Sequence, residues 1–521
     1  MSVDLIRNMI NYEKFIGEGT GQTMVSGDIV IPDRNPDIEK VLCIDGKAYV
    51  VSSQATQDRI IIEGKMVFEI LYCPSEGEKV FSISASSAFN QNIQVPGSAD
   101  KMLCKVNAAV EHIGYELITG RKLKVNAVIN LNGAAVDRDK TEVVVDMKGE
   151  DVQTLKSTID ADQFTGEGAN QVIAKGRIDI LEDKGSIKSI LKNSVDIHKK
   201  DISVQEGKVV INACILTRTL YQLEESSELN YIEQDIPFVS EINIENARPD
   251  MKCDVDFKII DCYNEIKEND AGEKKAIENE VVVDSRAVLY ERVQLQNILD
   301  AYSAGGRFDF EKQSVKGMSF FNEGASRQDI KETLSIPSEM PGAAYIRHVN
   351  VKPIVTETKI VEDKIIVEGV ISCCAIYTAA AEEGGLLSFQ EEVPFKSAID
   401  MPGVKIDMIP YVFAGIQNIT YEKASQREIE IKANIECCAK IYKKYVMDIV
   451  SNIEEVEIPD EVKDMPSLII YIVQPSDTLW KIAKKYYTAI EDIISLNDIE
   501  DADNIMPGMK LLIPKKNFMR G

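Results

Sequence analysis

The chain has 521 residues, 44% of them hydrophobic, which by the usual relation between length and domain number is enough for about three or four cores. Its 85 acidic against 59 basic residues give a formal net charge of −26, which opposes binding to nucleic acid or to an anionic membrane surface unless a basic patch is segregated. The tracts Lys199-Lys200, Lys443-Lys444 and Lys515-Lys516 are too short to form such a patch, and no apolar stretch approaches a membrane span.

The N-terminal segment, 1–14, has no sustained apolar run and no small-residue cleavage site, so the chain is expected to stay in the cytosol where it is made. Leu5, Ile6, Met9 and Ile10 share one face at helical spacing, which predicts a short helix there, with a second over Val293 to Leu299. Phe15-Ile-Gly-Glu-Gly19 returns as Phe164-Thr-Gly-Glu-Gly168 and Phe320-Phe-Asn-Glu-Gly324, offset by 149 and then 156 residues. The same offsets relate Asp58-Arg-Ile-Ile-Ile-Glu-Gly64 to Gly207-Lys-Val-Val-Ile-Asn-Ala213 and Asp363-Lys-Ile-Ile-Val-Glu-Gly369, and Tyr72 to Tyr221 and Tyr377. Phe89, Phe238 and Phe395 follow, and Val95-Pro-Gly97 is echoed by Met401-Pro-Gly403. Three copies of one domain are the economical explanation.

Alternation dominates each copy, as in Arg121-Lys-Leu-Lys-Val-Asn-Ala-Val-Ile and Arg427-Glu-Ile-Glu-Ile-Lys-Ala-Asn-Ile, so half-buried strands are expected. The reading is mainly β and multidomain: three tandem sandwich-like repeats at 15–150, 160–292 and 318–450, each burying its own core. Linkers are expected near 137–158, 291–316 and 452–467. The middle copy departs most, with Asn212-Ala213 for Glu-Gly and an acidic insertion over 265–280.

The final stretch, 468–516, reads as a small βααβ unit. Leu468-Ile-Ile-Tyr-Ile-Val473 is a strand that stops at Gln474-Pro-Ser476. Asp477 is positioned to cap a helix carrying Leu479, Ile482, Ala483 and Tyr486. Thr488-Ala-Ile-Glu491 matches a capping box for a second helix that Asn497 would end in a left-handed conformation. Asp503-Asn-Ile-Met-Pro-Gly508 then turns the chain into a strand through Leu511, Ile513 and Pro514.

Catalytic chemistry has little to stand on. His112, His198 and His348 occupy unrelated positions under the repeat offsets, Gly17-Glu-Gly-Thr-Gly21 lacks the Lys-Ser/Thr of a phosphate loop and reads as a turn, and acidic pairs such as Glu224-Glu225 and Glu391-Glu392 are solvated. The ten cysteines include no CxxC, and Cys373-Cys374 and Cys437-Cys438 lie in strand-like runs whose neighbours point to opposite faces. A non-enzymatic chain without metal, cofactor or disulfides is expected.

The C-terminal unit resembles a LysM domain, through Tyr471, Pro475-Ser-Asp-Thr-Leu-Trp480, Leu496-Asn497 and Pro507-Gly-Met-Lys-Leu-Leu-Ile-Pro514, with Ser476 standing where that family has glycine. The resemblance implies a shallow groove for a protein partner or a glycan, formed by Asp477, Thr478, Leu479, Trp480, Ile482, Asn497, Ile505, Met506, Pro507 and Gly508. The repeats resemble the spore-coat-associated SPOCS domain, and three of them before one LysM are similar to SipL-like spore coat morphogenetic proteins of clostridia. That resemblance implies a mother-cell scaffold at the forespore surface, binding the stage IV coat ATPase (SpoIVA-like) through LysM. Other coat proteins or further copies of the chain are possible partners through exposed strand edges. The alternative is a peptidoglycan- or chitin-type glycan binder using the LysM groove.

Overall fold

A computed structural model describes the chain apart from residues 1–2, 75–78, 150, 182–183, 225–227, 304–305, 381–384, 457–465, 502–504 and 515–521. Three six-stranded repeats fill most of it. The first contains β1 (Asp4–Val30), β2 (Ile38–Thr56), β3 (Arg59–Pro74), β4 (Phe81–Gln94), β5 (Leu103–Thr119) and β6 (Lys122–Lys148). The second contains β7 (Val152–Asp179), β8 (Ile187–Gln205), β9 (Lys208–Leu223), β10 (Leu229–Asn243), β11 (Lys252–Lys267) and β12 (Ala276–Ser303). The third contains β13 (Arg307–Ser335), β14 (Ala343–Val361), β15 (Lys364–Ala379), β16 (Leu386–Asp400), β17 (Ile409–Lys423) and β18 (Glu428–Val456). A small module follows: β19 (Leu468–Ile472), α1 (Leu479–Tyr486), α2 (Ile490–Asn497) and β20 (Lys510–Pro514).

Each repeat is a sandwich of two antiparallel three-stranded sheets, in the first copy β2-β3-β4 over β1-β6-β5. Alternation builds the core directly: Leu123, Val125, Ala127, Ile129 and Leu131 of β6 all face inward against Ile60, Ile62, Met66, Phe68 and Ile70 of β3. The repeated motifs have structural roles. Gly64 pairs across the sheet with Phe89, whose ring lies where a Cβ would sit, and Gly369 pairs in the same way with Phe395. Asp58 and Asp363 adopt φ of 58° and 59°, and their carboxylates accept the N–H of Gly97 (2.7 Å) and Gly403 (2.6 Å). In the middle copy Gly207 takes that left-handed position, and Ala213 faces Phe238.

The outer strands run far beyond their sandwiches. β1 pairs with β6 from Val30↔Lys122 to Asp4↔Lys148, a ribbon on the order of 85 Å long at ordinary strand rise. A β-bulge interrupts the register between Phe15 and Gly17, and the equivalent bulges fall between Phe164 and Gly166 and between Phe320 and Asn322. The Phe-x-Gly/Asn-Glu-Gly segments expected as turns are therefore bulges inside continuous strands, which bend a strand without ending it. Beyond the bulges the three ribbons pack on one another. Ile10, Tyr12 and Val143 of the first meet Ala161 of the second and Val315, Met447 and Ile449 of the third in a shared core. A second shared core, with Val144, Met147, Ile298, Ala301, Phe308, Val450 and Ile453, lies nearer the ribbon ends.

Several expectations change accordingly. The described residues of 137–158 and 291–316 are not linkers but belong almost entirely to strands β6, β7, β12 and β13. Both anticipated helices, Leu5 to Ile10 and Val293 to Leu299, are strands of β1 and β12. The apparent helical face is not one face of a strand: Ile10 is buried while Ile6 and Met9 are 36% and 51% exposed, and in β12 a bulge at Leu299 breaks the alternation after Ile298. Each repeat keeps its own core, but the repeats also bury surface jointly, through the ribbons and through Leu42, Cys43, Leu71, Leu191, Leu220, Cys374 and Ile376 at the opposite side. Most of the third expected linker lies outside the described residues.

Buried charge ties the repeats together. Asp254, 2% exposed, receives the Tyr442 hydroxyl at 2.5 Å and the ammonium groups of Lys440 at 2.9 Å and Lys105 at 3.2 Å, so all three repeats meet on it. Asp45 of the first repeat receives Lys192 of the second at 2.6 Å and Lys352 of the third at 3.0 Å. Burial alone would raise both carboxyls, but the paired lysines outweigh it and hold them below the ordinary carboxylate range. Glu13, also buried, accepts the Tyr290 hydroxyl at 2.7 Å. Removing one partner from such a site leaves an uncompensated buried charge, at a cost of about 3–5 kcal/mol.

His348 lies close to Asp45's lysines and is pushed down to about 3 by burial, with the charge of Lys192 adding to the effect. The unfolded chain therefore takes up this proton near pH 6.5 and the folded chain only near pH 3, so its contribution to stability is complete above pH 6.5 and is lost as pH falls below that. Asp45 and Asp254 act lower, losing their contribution only as pH falls below the unfolded carboxylate value of 3.8. Between pH 6.5 and about 4.5 the wild type should lose about 2 kcal/mol more stability than His348→Phe in denaturant titrations. Parallel pH profiles for the two proteins would refute the assignment.

Candidate binding surface of the C-terminal module

β19 and β20 pair antiparallel from Leu468↔Pro514 to Ile472↔Lys510, and α1 and α2 cover one face of this two-stranded sheet. Val473, Leu479, Ile482, Ala483, Ile493, Leu511 and Ile513 form the core. The other sheet face is left apolar and open, with Leu468, Ile470 and Ile472 at 53%, 68% and 49% exposure.

The helix ends differ in detail from the expected ones. Thr478, not Asp477, caps α1, its hydroxyl accepting the Lys481 N–H at 3.2 Å. Asp477 sits one residue too early and closes the preceding turn instead, accepting the Tyr471 hydroxyl at 2.7 Å and the Gln474 N–H at 2.8 Å. Those two donors hold its carboxyl below the usual range. Ala489, not Thr488, stands at the N-cap of α2 with no side-chain cap. The bond from Thr488 N–H to the Ala483 carbonyl, at 3.1 Å, draws Thr488 inward to 1% exposure. Asp498, with φ of 51°, makes the left-handed stop expected at Asn497. Asn497 instead joins α2 to β20: its amide donates to the carbonyls of Ile493 (2.8 Å) and Leu512 (2.7 Å), and its oxygen accepts the Leu512 N–H at 2.7 Å.

The ten residues expected to form the groove divide into three groups. Leu479 and Ile482 are in the core at 3% and 2% exposure and shape the surface from beneath, while Asn497 fixes the α2–β20 contact. Pro507 and Gly508 turn against the end of β19, where Gly508 N–H bonds the Val473 carbonyl at 2.8 Å and the Met509 carbonyl accepts the Val473 N–H at 2.9 Å, while Asp477 and Thr478 close the turn into α1. Met506 is 64% exposed there, with Ile505 half-buried behind it. The Asp503-Asn504 part of this turn lies outside the described residues.

Trp480 faces the repeats. Its indole meets the Tyr302 ring edge-on with centroids 5.0 Å apart, and its N–H donates to Asp300 at 3.0 Å. Lys484 donates to the other oxygen of Asp300 at 2.5 Å. The module is thus clamped to the end of β12, and Tyr302 is part of its core. Sequence reasoning missed Asp300 and Tyr302 because nothing local marks a strand end as a docking point 180 residues before its partner.

These elements define a three-repeat β platform with a βααβ module seated on one ribbon end. The SipL SPOCS-domain family matches at 37–118, 186–267 and 343–424, and the LysM-domain family at 471–514. The chain thus carries three copies of the SPOCS domain followed by one LysM domain. Each SPOCS match spans the second to fifth strands of a repeat, so the long outer strands lie outside it. The chain is similar to SpoIVD-associated factor A of Bacillus subtilis (strain 168), 48% identical over 48 residues that cover 9% of this chain and 12% of that protein. It is also similar to spore coat assembly protein ExsA of Bacillus cereus, 49% identical over 49 residues that cover 9% and 8%. The chain thus spans only about a tenth of the length of these curated relatives. No solved structure matches it significantly.

Two measurements check this geometry. Ser476 holds φ of 73°, a conformation that costs a side-chain-bearing residue about 1 kcal/mol, so Ser476→Gly should stabilise the module by up to that amount in thermal melts; a loss of stability would contradict the assignment. Trp480 is the only tryptophan, so its fluorescence reports the clamp. Tyr302→Ala should red-shift its emission and raise its quenching by acrylamide, whereas an unchanged spectrum would exclude the contact.

Proposed function

We propose that this chain is a non-enzymatic scaffold in spore coat and envelope assembly, working in the mother-cell cytoplasm at the forespore surface. Its LysM module docks the spore-coat morphogenetic ATPase of sporulation stage IV (SpoIVA-like), and the SPOCS platform supplies further contacts to coat proteins. The observation that carries this reading is the pairing of three SPOCS domains with one LysM, together with similarity to a protein named as a SpoIVD-associated factor and to one named as a spore coat assembly protein. The exposed apolar side chains of the module, Ile470 and Met506 among them, support a protein-binding role, since apolar contact area dominates protein interfaces. Among the described residues no helix is long and apolar enough to cross a membrane.

A second reading, glycan binding, is supported by the LysM match. Trp480 counts against it as a sugar-stacking residue, because its ring is engaged by Tyr302. Full-length protein and its Met506→Glu variant, assayed against the purified ATPase and against peptidoglycan, separate the two. Saturable ATPase binding that falls at least about tenfold in the folded variant is the expected result. Binding to peptidoglycan alone would overturn the scaffold reading and its localisation.

A further inference from the structure

Where the three repeats meet beside Asp45, they enclose a cavity of about 360 Å³, within the size range of small-molecule sites. All three copies supply its wall, so it exists only in the assembled platform. Four cations line it: Lys47 from the first repeat, Lys192 and Arg218 from the second and Lys352 from the third. Only two carboxylates share that lining. Asp45 serves Lys192 and Lys352, while Asp196 serves Arg218 and, at 3.2 Å, Lys47. Glu69 stands behind the wall 3.8 Å from Lys192, its carboxyl pushed up by burial, and Glu233 is engaged by the Tyr231 hydroxyl at 2.7 Å. In a chain of net charge −26, this is a local surplus of positive charge turned inward.

Three further observations point to an occupant. His348 lies in the wall at 4% exposure, and its Nδ1 finds no hydrogen-bond partner among the described residues. Unpaired buried polar atoms cost free energy and are uncommon in native proteins. At the rim, Tyr49 and Phe413 expose aromatic rings, at 41% and 59%. Lys47 lines the cavity with 45% of its side chain accessible, and desolvation by the surrounding protein pulls its ammonium group down from the usual lysine range. Val351, Ile354, Val412 and Ile416 give the wall an apolar side, and Asn107, Ser194 and Asn350 add uncharged polar groups.

We propose that this cavity is a binding site for a small organic anion with an apolar body, such as an aromatic carboxylate or phosphate ester. The anionic group pairs with Lys47 and takes a hydrogen bond from the Nδ1–H tautomer of neutral His348, while the body lies on the aliphatic wall below Tyr49 and Phe413. Benzoate and phenyl phosphate are probes of the two anion types, and benzyl alcohol is the uncharged control. Isothermal titration of the full chain should give one site per chain for at least one of the anions, at least about tenfold tighter than for benzyl alcohol. Lys47→Gln, at a position that no core depends on, should weaken the anion at least about tenfold and leave benzyl alcohol unchanged. The proposal fails if neither anion saturates by about 10 mM, if benzyl alcohol binds as tightly, or if Lys47→Gln has no effect.

Discussion

The architecture depends on six outer strands of 27 to 29 residues that serve two cores each. One half of every ribbon is a sandwich face, and the other half belongs to the shared centre. A straight, unbroken ribbon would present the same two faces throughout and could not redirect its apolar side. The bulges at Ile16, Thr165 and Phe321 change the parity and the twist at the one place where the environment changes. The last glycine of each motif has a companion role. A Cβ on Gly19 would lie 2.1 Å from the Gln94 carbonyl, so only glycine lets β1 cross the end of β4 at that distance.

The joint burial makes the platform one body, and the LysM module inherits its placement. Tyr302, 1% exposed, ends one ribbon and enters the core of the module, so the orientation of α1 is set by β12 as well as by its own strands. Asp300 strengthens the joint by accepting from both Trp480 and Lys484. The surfaces left to a partner are then the open sheet face at Ile470 and the Met506 to Gly508 loop, while the indole is spoken for.

Much of this was legible in the sequence where the signal was local or repeated. Offsets of 149 and 156 residues revealed the three copies, alternation in Leu123 to Leu131 gave the inward face, and the run from Tyr471 to Pro514 gave every element of the module. What stayed hidden was set by partners distant in the chain. Leu5, Ile6, Met9 and Ile10 satisfy a helical spacing, and only pairing with residues around 142–147 makes them a strand. The supposed linkers are strands because each ribbon contributes its apolar residues to a centre filled by three, a partnership that no local signal marks. In the module, the shift of each helix cap by one residue was not readable, since Asp477 and Thr478 are equally good capping residues.

The placement of charge around Asp45 says something about why the copies share one polypeptide. By the repeat offsets, Asp45 corresponds to Ser194 and Asn350, Lys47 to Asp196 and Lys352, and Cys43 to Lys192 and His348. A homotrimer of any single copy would repeat one set of side chains around the axis; the first copy would bring Cys43, Asp45 and Lys47 three times, and each Asp45 would lose the cation that Lys192 supplies from the position of Cys43. Covalent linkage frees each corner to differ, so that an anion in one copy meets cations from the other two. The chain is in effect a trimer whose subunits have become non-interchangeable, with a fixed order and a fixed single address for the appended module.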